Sequence, residues 1–140
     1  MDSGISIRAM TIDDYPQVYA LWAATAGLTL GGADSRASIG KVLARNEGFS
    51  FVAERNGREI VGALLCGHDG RRGCLYHLAV AADCRRAGLG RALVAASLAS
   101  LKDAGIERCH LFVNLDNPAG ASFWRQAGFT VQGDVEFYAR

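Results

Sequence analysis

The chain has 140 residues, half of them hydrophobic and 21% charged, which suits one globular domain over residues 1–140 built on one core. Basic and acidic residues nearly balance, for a formal net charge of +1, so no general basic field recommends nucleic acid and any anion site must be local. Met1-Asp2-Ser3-Gly4 lacks the basic head and apolar stretch of a signal peptide, and no run reaches the ~18 apolar residues of a membrane span, so a cytoplasmic chain without a membrane partner is expected.

Ser6 to Met10 reads as a first strand. Thr11, with Asp14 three residues on, resembles a capping box opening a helix with Val18, Leu21, Trp22 and Thr25 on one face and Gly27 at its end. After the Gly31-Gly32 break a second helix starts at Ser35, with Ile39, Val42 and Leu43 inward, and stops by Asn46 to Gly48. Phe49 to Glu54 and Glu59 to Leu65 are strand-like runs, and Asn56-Gly57 between them supplies a tight hairpin turn. A polar loop, Gly67 to Gly73, leads to a third strand, Cys74 to Val80. A long helix carries Leu89, Leu93, Val94, Leu98 and Leu101 to a stop at Gly105. A buried strand, Cys109 to Val113, precedes a short helix with Pro118 in its first turn and Gly128 as its cap, and Thr130 to Tyr138 forms a last strand pair or an extended tail.

The order β-α-α-β-β-β-α-β-α-β joins an antiparallel meander to an alternating half, a mixed sheet with helices on its faces within the α/β or α+β classes. Cys66, Cys74, Cys84 and Cys109 form no C-x-x-C pair, and His68, His77 and His110 do not fall at zinc spacings, so reduced thiols and no metal are expected.

Arg85-Arg86-Ala87-Gly88-Leu89-Gly90 lies between the strand ending at Val80 and the helix beginning near Arg91. Glycines that admit backbone N–H groups to an anion, at a helix N-terminus with partial positive charge, make a phosphate cradle. A dinucleotide fingerprint needs a glycine where Leu93 stands, and a P-loop needs Lys-Ser/Thr where Arg91-Ala92 stands. What remains is Arg-x-x-Gly-x-Gly after a strand.

Leu78-Ala79-Val80, the Arg85–Gly90 turn, Asn117 and the helix-ending Gly128-Phe129, in that order, resemble the GNAT superfamily of acetyl-coenzyme A-dependent N-acetyltransferases. The resemblance runs from the first strand to Phe129. It implies a mixed, mostly antiparallel central sheet with helices on both faces. It also implies that backbone amides across Arg86, Ala87, Gly88, Leu89, Gly90 and Arg91 cradle the coenzyme pyrophosphate, with Arg85 and Arg86 side chains on phosphates or an acidic partner. Leu78 and Val80 would bind the pantetheine as an added strand, with the Val80 N–H polarising the thioester carbonyl. Asn117 would hydrogen-bond the pantetheine arm, cap its helix, or do both.

Acetyl-coenzyme A would then be the donor and a primary amine of a small molecule or peptide the acceptor, attacking directly in a ternary complex. His77, three residues before Val80 where relatives often carry Glu, is the candidate base, since an imidazole takes a proton near neutral pH. By strand alternation it shares a face with Ala79. The family's usual acid, a Tyr, is replaced by Trp124, whose indole N–H does not ionise near neutrality, leaving Tyr76, Tyr138 or water. The same replacement suits an alternative: a catalytically weak acyl-coenzyme A-binding or sensor domain. An exposed sheet edge near the C-terminus would support a homodimer.

Overall fold

The computed structural model describes residues 4–140. Five strands, β1 (Ile5–Ala9), β2 (Phe51–Arg55), β3 (Glu59–His68), β4 (Arg72–Val80) and β5 (Arg108–His110), form one sheet in sequential order. The first four pair antiparallel, and β5 joins β4 in parallel. The helices are α1 (Tyr15–Ala23), α2 (Arg36–Arg45), α3 (Leu89–Asp103) and α4 (Pro118–Gln126).

Each sheet face has its own core. On one side α3 presses Leu89, Leu93, Val94 and Leu101 against Val61, Leu64, Cys66 and Leu75. On the other, Val18 and Trp22 of α1 and Ile39 of α2 cover Val52, Ile60, Ala63 and Ala79. β3 is buried on both faces, Val61, Leu64 and Cys66 toward α3 and Ile60, Ala63 and Leu65 toward α1, with its alternation shifted by a bulge against β2 at Val61; this is why the strand reads as one continuous apolar run.

Local chemistry explains the element ends. The Asp14 carboxylate accepts the Thr11 N–H at 2.9 Å, the reciprocal half of the expected box. It is also gripped by both Arg8 guanidinium nitrogens at 2.8 and 2.9 Å, and Arg8 reaches Glu54 at 2.8 Å. The first turn after Thr11 is therefore a tight 3-10 turn, and α1 begins only at Tyr15, later than periodicity suggests. Ser35 caps α2 by accepting the Ser38 N–H at 3.2 Å.

Two expectations need correction and an open alternative is decided. The polar loop is shorter than read, because β3 continues to His68 and β4 begins at Arg72. β5 covers Arg108–His110 and not 109–113, because β4 turns away from it after Cys74. Of the two readings of residues 130–138, the structure has the extended tail: they form no strand pair and are exposed throughout, with only a turn at Gly133-Asp134. Val131, Val135 and Phe137 alternate with polar neighbours, but a hairpin without a packed face does not hold itself together.

Candidate active site

β4 and β5 pair only over Arg72–Cys74 and Arg108–His110. Beyond that the strands separate, and a cleft of about 880 Å³ opens between them. A bulge in β4 causes the divergence. Strict alternation would set Leu75, His77 and Ala79 on one face, but Leu75, Leu78 and Val80 pack toward α3 and Ala79 toward α1. One residue too many has been accommodated, the register shifts against β3 between Ala63 and Leu65, and His77 takes a left-handed φ of 56°. A bulge of this kind bends its strand and re-aims side chains.

The bulge leaves His77 on the Ala79 side, its ring 5.0 Å from that of Trp22. It also determines what β4 offers the cleft. Ala81 N–H donates to Val61 O at 2.8 Å around the Gly62–Val80 pair, so that pair is a non-hydrogen-bonded one. The Val80 N–H is consequently directed away from β3, toward the opening that β5 does not fill.

At the end of β4 the chain makes a short 3-10 turn, Ala82–Cys84, and enters the glycine turn. Arg85 Nε donates to the Val80 carbonyl at 3.1 Å, which ties the turn to the strand end. The nearby acid, Asp83, pairs with Arg55, which holds its carboxyl below the usual range. Gly88 caps α3 with φ 81°, a left-handed conformation that costs an L side chain ~1–2 kcal/mol. The first helical bond is Ala92 N–H to Gly88 O at 3.0 Å, so the N–H groups of Leu89, Gly90 and Arg91 have no acceptor within the helix. Those three residues, with Arg85, Arg86 and Gly88, line the cleft, as do Leu78 and Val80. Ala87 does not.

The opposite wall comes from α4 and the loop before it. Asn117 lies in the lining and caps α4, its Oδ1 accepting the Gly120 N–H at 3.0 Å. The loop after α1 closes on it. Asn114 Nδ2 donates to Gly27 O at 3.1 Å, and a Cβ on Gly27 would stand 2.6 Å from Asn117 Nδ2, so only glycine allows this approach. Trp124 lines the same wall, with its ring 5.1 Å from Phe123 and 5.2 Å from Phe129.

Of the other expected acids, Tyr138 is 86% exposed and outside the lining, whereas Tyr76 is within it. Burial, with a contribution from Cys74, pushes the Tyr76 phenol to about 12. Tyr76 is nonetheless 42% exposed, and a phenol raised in this direction can orient a group but is poorly matched to protonating sulfur. The hairpin residue Asp69 accepts the N–H groups of Arg71 and Arg72, both at 2.9 Å, and none of the three borders the cleft.

Sequence reasoning missed the partner of His77. The ring Nε2 lies 2.8 Å from Oδ1 of Asp34, a buried carboxylate just before α2. Forty-three positions separate the two residues, so no local spacing signals the pair. The Gly27–Asn114–Asn117 closure is likewise nonlocal.

An extended opening beside a strand, an outward main-chain N–H and a glycine turn presenting helix-start amides are the fittings of an acyltransferase that takes a long, phosphate-bearing coenzyme. The profile of the acetyltransferase (GNAT) family matches residues 15–129, and the chain belongs to that family. An acetyltransferase of Pectobacterium atrosepticum is 36% identical over 115 residues, covering 82% of this chain and 80% of that protein. Ard1 from Thermoplasma volcanium has a similar fold, with a TM-score of 0.81 over 93% of this chain and 85% of that one at 21% identity. So does the PaiA N-acetyltransferase from Thermoplasma acidophilum, solved with coenzyme A, with a TM-score of 0.80 over 97% and 94% at 20% identity. The family uses acetyl-coenzyme A, and the unpaired amides at Val80 and at the start of α3 suit its amide-bearing arm and its diphosphate. Among the described residues no group of His, Cys, Asp and Glu side chains could hold a metal ion, and no helix is long and apolar enough to cross a membrane.

Proposed function

We propose that the chain is an N-acetyltransferase that moves the acetyl group of acetyl-coenzyme A to a primary amine of a small molecule or peptide, within a ternary complex. The observation that carries this is the Val80 N–H, left outside the β3 ladder at the mouth of the splayed strands. There it donates to the thioester oxygen, and more strongly as charge builds on that oxygen. Leu78 and Val80 hold the pantetheine, the amides of Leu89, Gly90 and Arg91 hold the diphosphate, and Asn117 takes an amide of the arm. The coenzyme supplies an activated acetyl group and a thiolate leaving group.

His77 accepts the proton that an ammonium acceptor must lose before its nitrogen can bond to the carbonyl carbon. A lysine-like amine is neutral about once in 2,500 molecules at pH 7, an α-amine about once in ten, so this service matters most for the more basic acceptor. As the C–N bond forms the C–S bond breaks, and the second amine proton ends on sulfur directly or through water. No side-chain acid is required, since a thiolate lies only about 2 kcal/mol above the thiol at pH 7. Trp124 packs beside the arm. Among the described residues the charged lining is Arg85, Arg86 and Arg91 with the titratable His77, and no carboxylate joins them. Tyr76, Phe112 and Leu28 also line the cleft, which supports an amine on an uncharged or apolar body over a polycation.

Initial rates with both substrates varied test the ternary complex. Intersecting double-reciprocal lines, with no mass added to the protein by acetyl-coenzyme A alone, are expected. Parallel lines with an acetylated protein would overturn direct attack.

A further inference from the structure

Asp34 and His77 come from opposite sides of a sheet-and-loop junction, and each is held by more than the other. Asp34 is 7% exposed. Its Oδ2 accepts the Gly31 N–H at 3.0 Å, its backbone carbonyl accepts the Tyr15 hydroxyl at 2.7 Å, and its Oδ1 meets His77 Nε2 at 2.8 Å. His77 sits on the strained bulge, packed against the fully buried Trp22, and its side chain makes no other hydrogen bond among the described residues. With the imidazole neutral, the carboxylate can only accept, so the shared proton sits on Nε2 and the tautomer is set. Nδ1 is then the basic nitrogen, on a ring that lines the cleft.

We infer that Asp34 is a positioning residue for the transfer reaction: it fixes the Nε2–H tautomer of His77, aims Nδ1 at the acceptor amine and stabilises the imidazolium that proton uptake creates. This rests on His77 acting as the base. The proton balance is simple: one proton passes from the acceptor ammonium to Nδ1 and later to solvent, while the Nε2 proton stays in the Asp34 hydrogen bond. The competing explanation is architectural, with the pair merely pinning the loop before α2 to β4. A structural pin would affect all acceptors alike, whereas a base-orienting carboxylate matters in proportion to acceptor basicity.

The test compares Asp34→Asn, Asp34→Glu and His77→Ala with the parent. The acceptor probes are n-butylamine, as basic as a lysine side chain, and glycinamide, as basic as an α-amine. The readout without turnover is the ¹⁵N spectrum of the His77 imidazole in the folded protein. The parent should show one protonated nitrogen, Nε2, and Asp34→Asn should lose that preference. Asp34→Asn should cut kcat with n-butylamine by about 10- to 100-fold, with KM for acetyl-coenzyme A unchanged, and cut the glycinamide rate far less. Asp34→Glu should recover part of the loss. A parent His77 protonated on Nδ1, or an Asp34→Asn variant with equal losses on both amines, would overturn the inference. If His77→Ala behaves as the parent on both amines, the base assignment itself fails, whatever Asp34 does. Thermal melts confirm that each variant is folded.

Discussion

Gly88→Glu gives the sharpest separation of fold from coenzyme binding. Gly88 has φ 81° and nothing within 4 Å of where a Cβ would stand, so the new side chain meets no clash, only backbone strain of ~1–2 kcal/mol. Its carboxylate, however, joins the turn that would hold a diphosphate. At a separation of about 5 Å and an effective dielectric of about 20, each pair of like charges costs roughly 3 kcal/mol, a loss of about two orders of magnitude in affinity. The assay is thermal unfolding with and without acetyl-coenzyme A at about 100 times the parent's Kd. There the parent gains about 2.7 kcal/mol, roughly 8–10 °C for a domain of this size. Gly88→Glu should gain only ~0.4 kcal/mol, or about 1–2 °C. Gly88→Ala carries the strain without the charge, so its ligand-free melting temperature should fall by about 4 °C while its coenzyme shift survives. A Gly88→Glu protein with the parent's full shift would refute the placement of the diphosphate on this turn.

The Asp14 carboxyl, which burial alone would push up, is held below the usual range by Arg8 and the Thr11 N–H. A depressed folded-state value stabilises the fold above the unfolded value of ~3.9, and that stability is lost as pH falls through the folded value. Urea melts should therefore show parent stability declining below about pH 4, with Asp14→Asn less stable at neutrality and its acid decline flatter; an unchanged slope would refute the coupling. Asn117→Ala should lose ~1 kcal/mol with the α4 cap, whereas Asn117→Ser keeps the cap, so weakened coenzyme binding in the Ser variant isolates the contact to the arm. Trp124→Phe should keep kcat within about twofold in stopped assays of thiol release, because an indole supplies no proton; a loss approaching 100-fold would restore this position to the chemistry.

Much of the fold was legible because its signals are local. The Asn56-Gly57 turn, the Ser35 cap, the buried run of β3 and the apolar stripe of α3 each depend on residues a few positions apart. So does the glycine turn, whose strand-before, helix-after setting could be read directly. The strand predicted over 109–113 failed for the opposite reason. Its pattern is sound, but a strand exists only where a partner runs beside it, and the bulge at His77 takes β4 away from β5 beyond Cys74. His77 itself was found by type and position, and its face by alternation, although the bulge rather than alternation places it there. Asp34, Asn114 and Gly27 escaped because each acts across the sheet or the cleft, where sequence distance says nothing of contact. The resemblance offers Arg85 a phosphate or an acidic partner, and its Nε hydrogen bond to the Val80 carbonyl could not be inferred from the residue type.

The central claim is that this cleft joins an acetyl donor to an amine, and release of the coenzyme thiol measures it directly. The purified chain is incubated with acetyl-coenzyme A and, separately, with small metabolite amines, amino acids and peptide N-termini. The account predicts thiol release that depends on both the chain and one class of monoamine, with polyamines and aminoglycosides poorer acceptors, and with release at acetyl-coenzyme A near the parent's KM cut strongly, toward ~100-fold, by Gly88→Glu. Binding of acetyl-coenzyme A without release on any amine would contradict it.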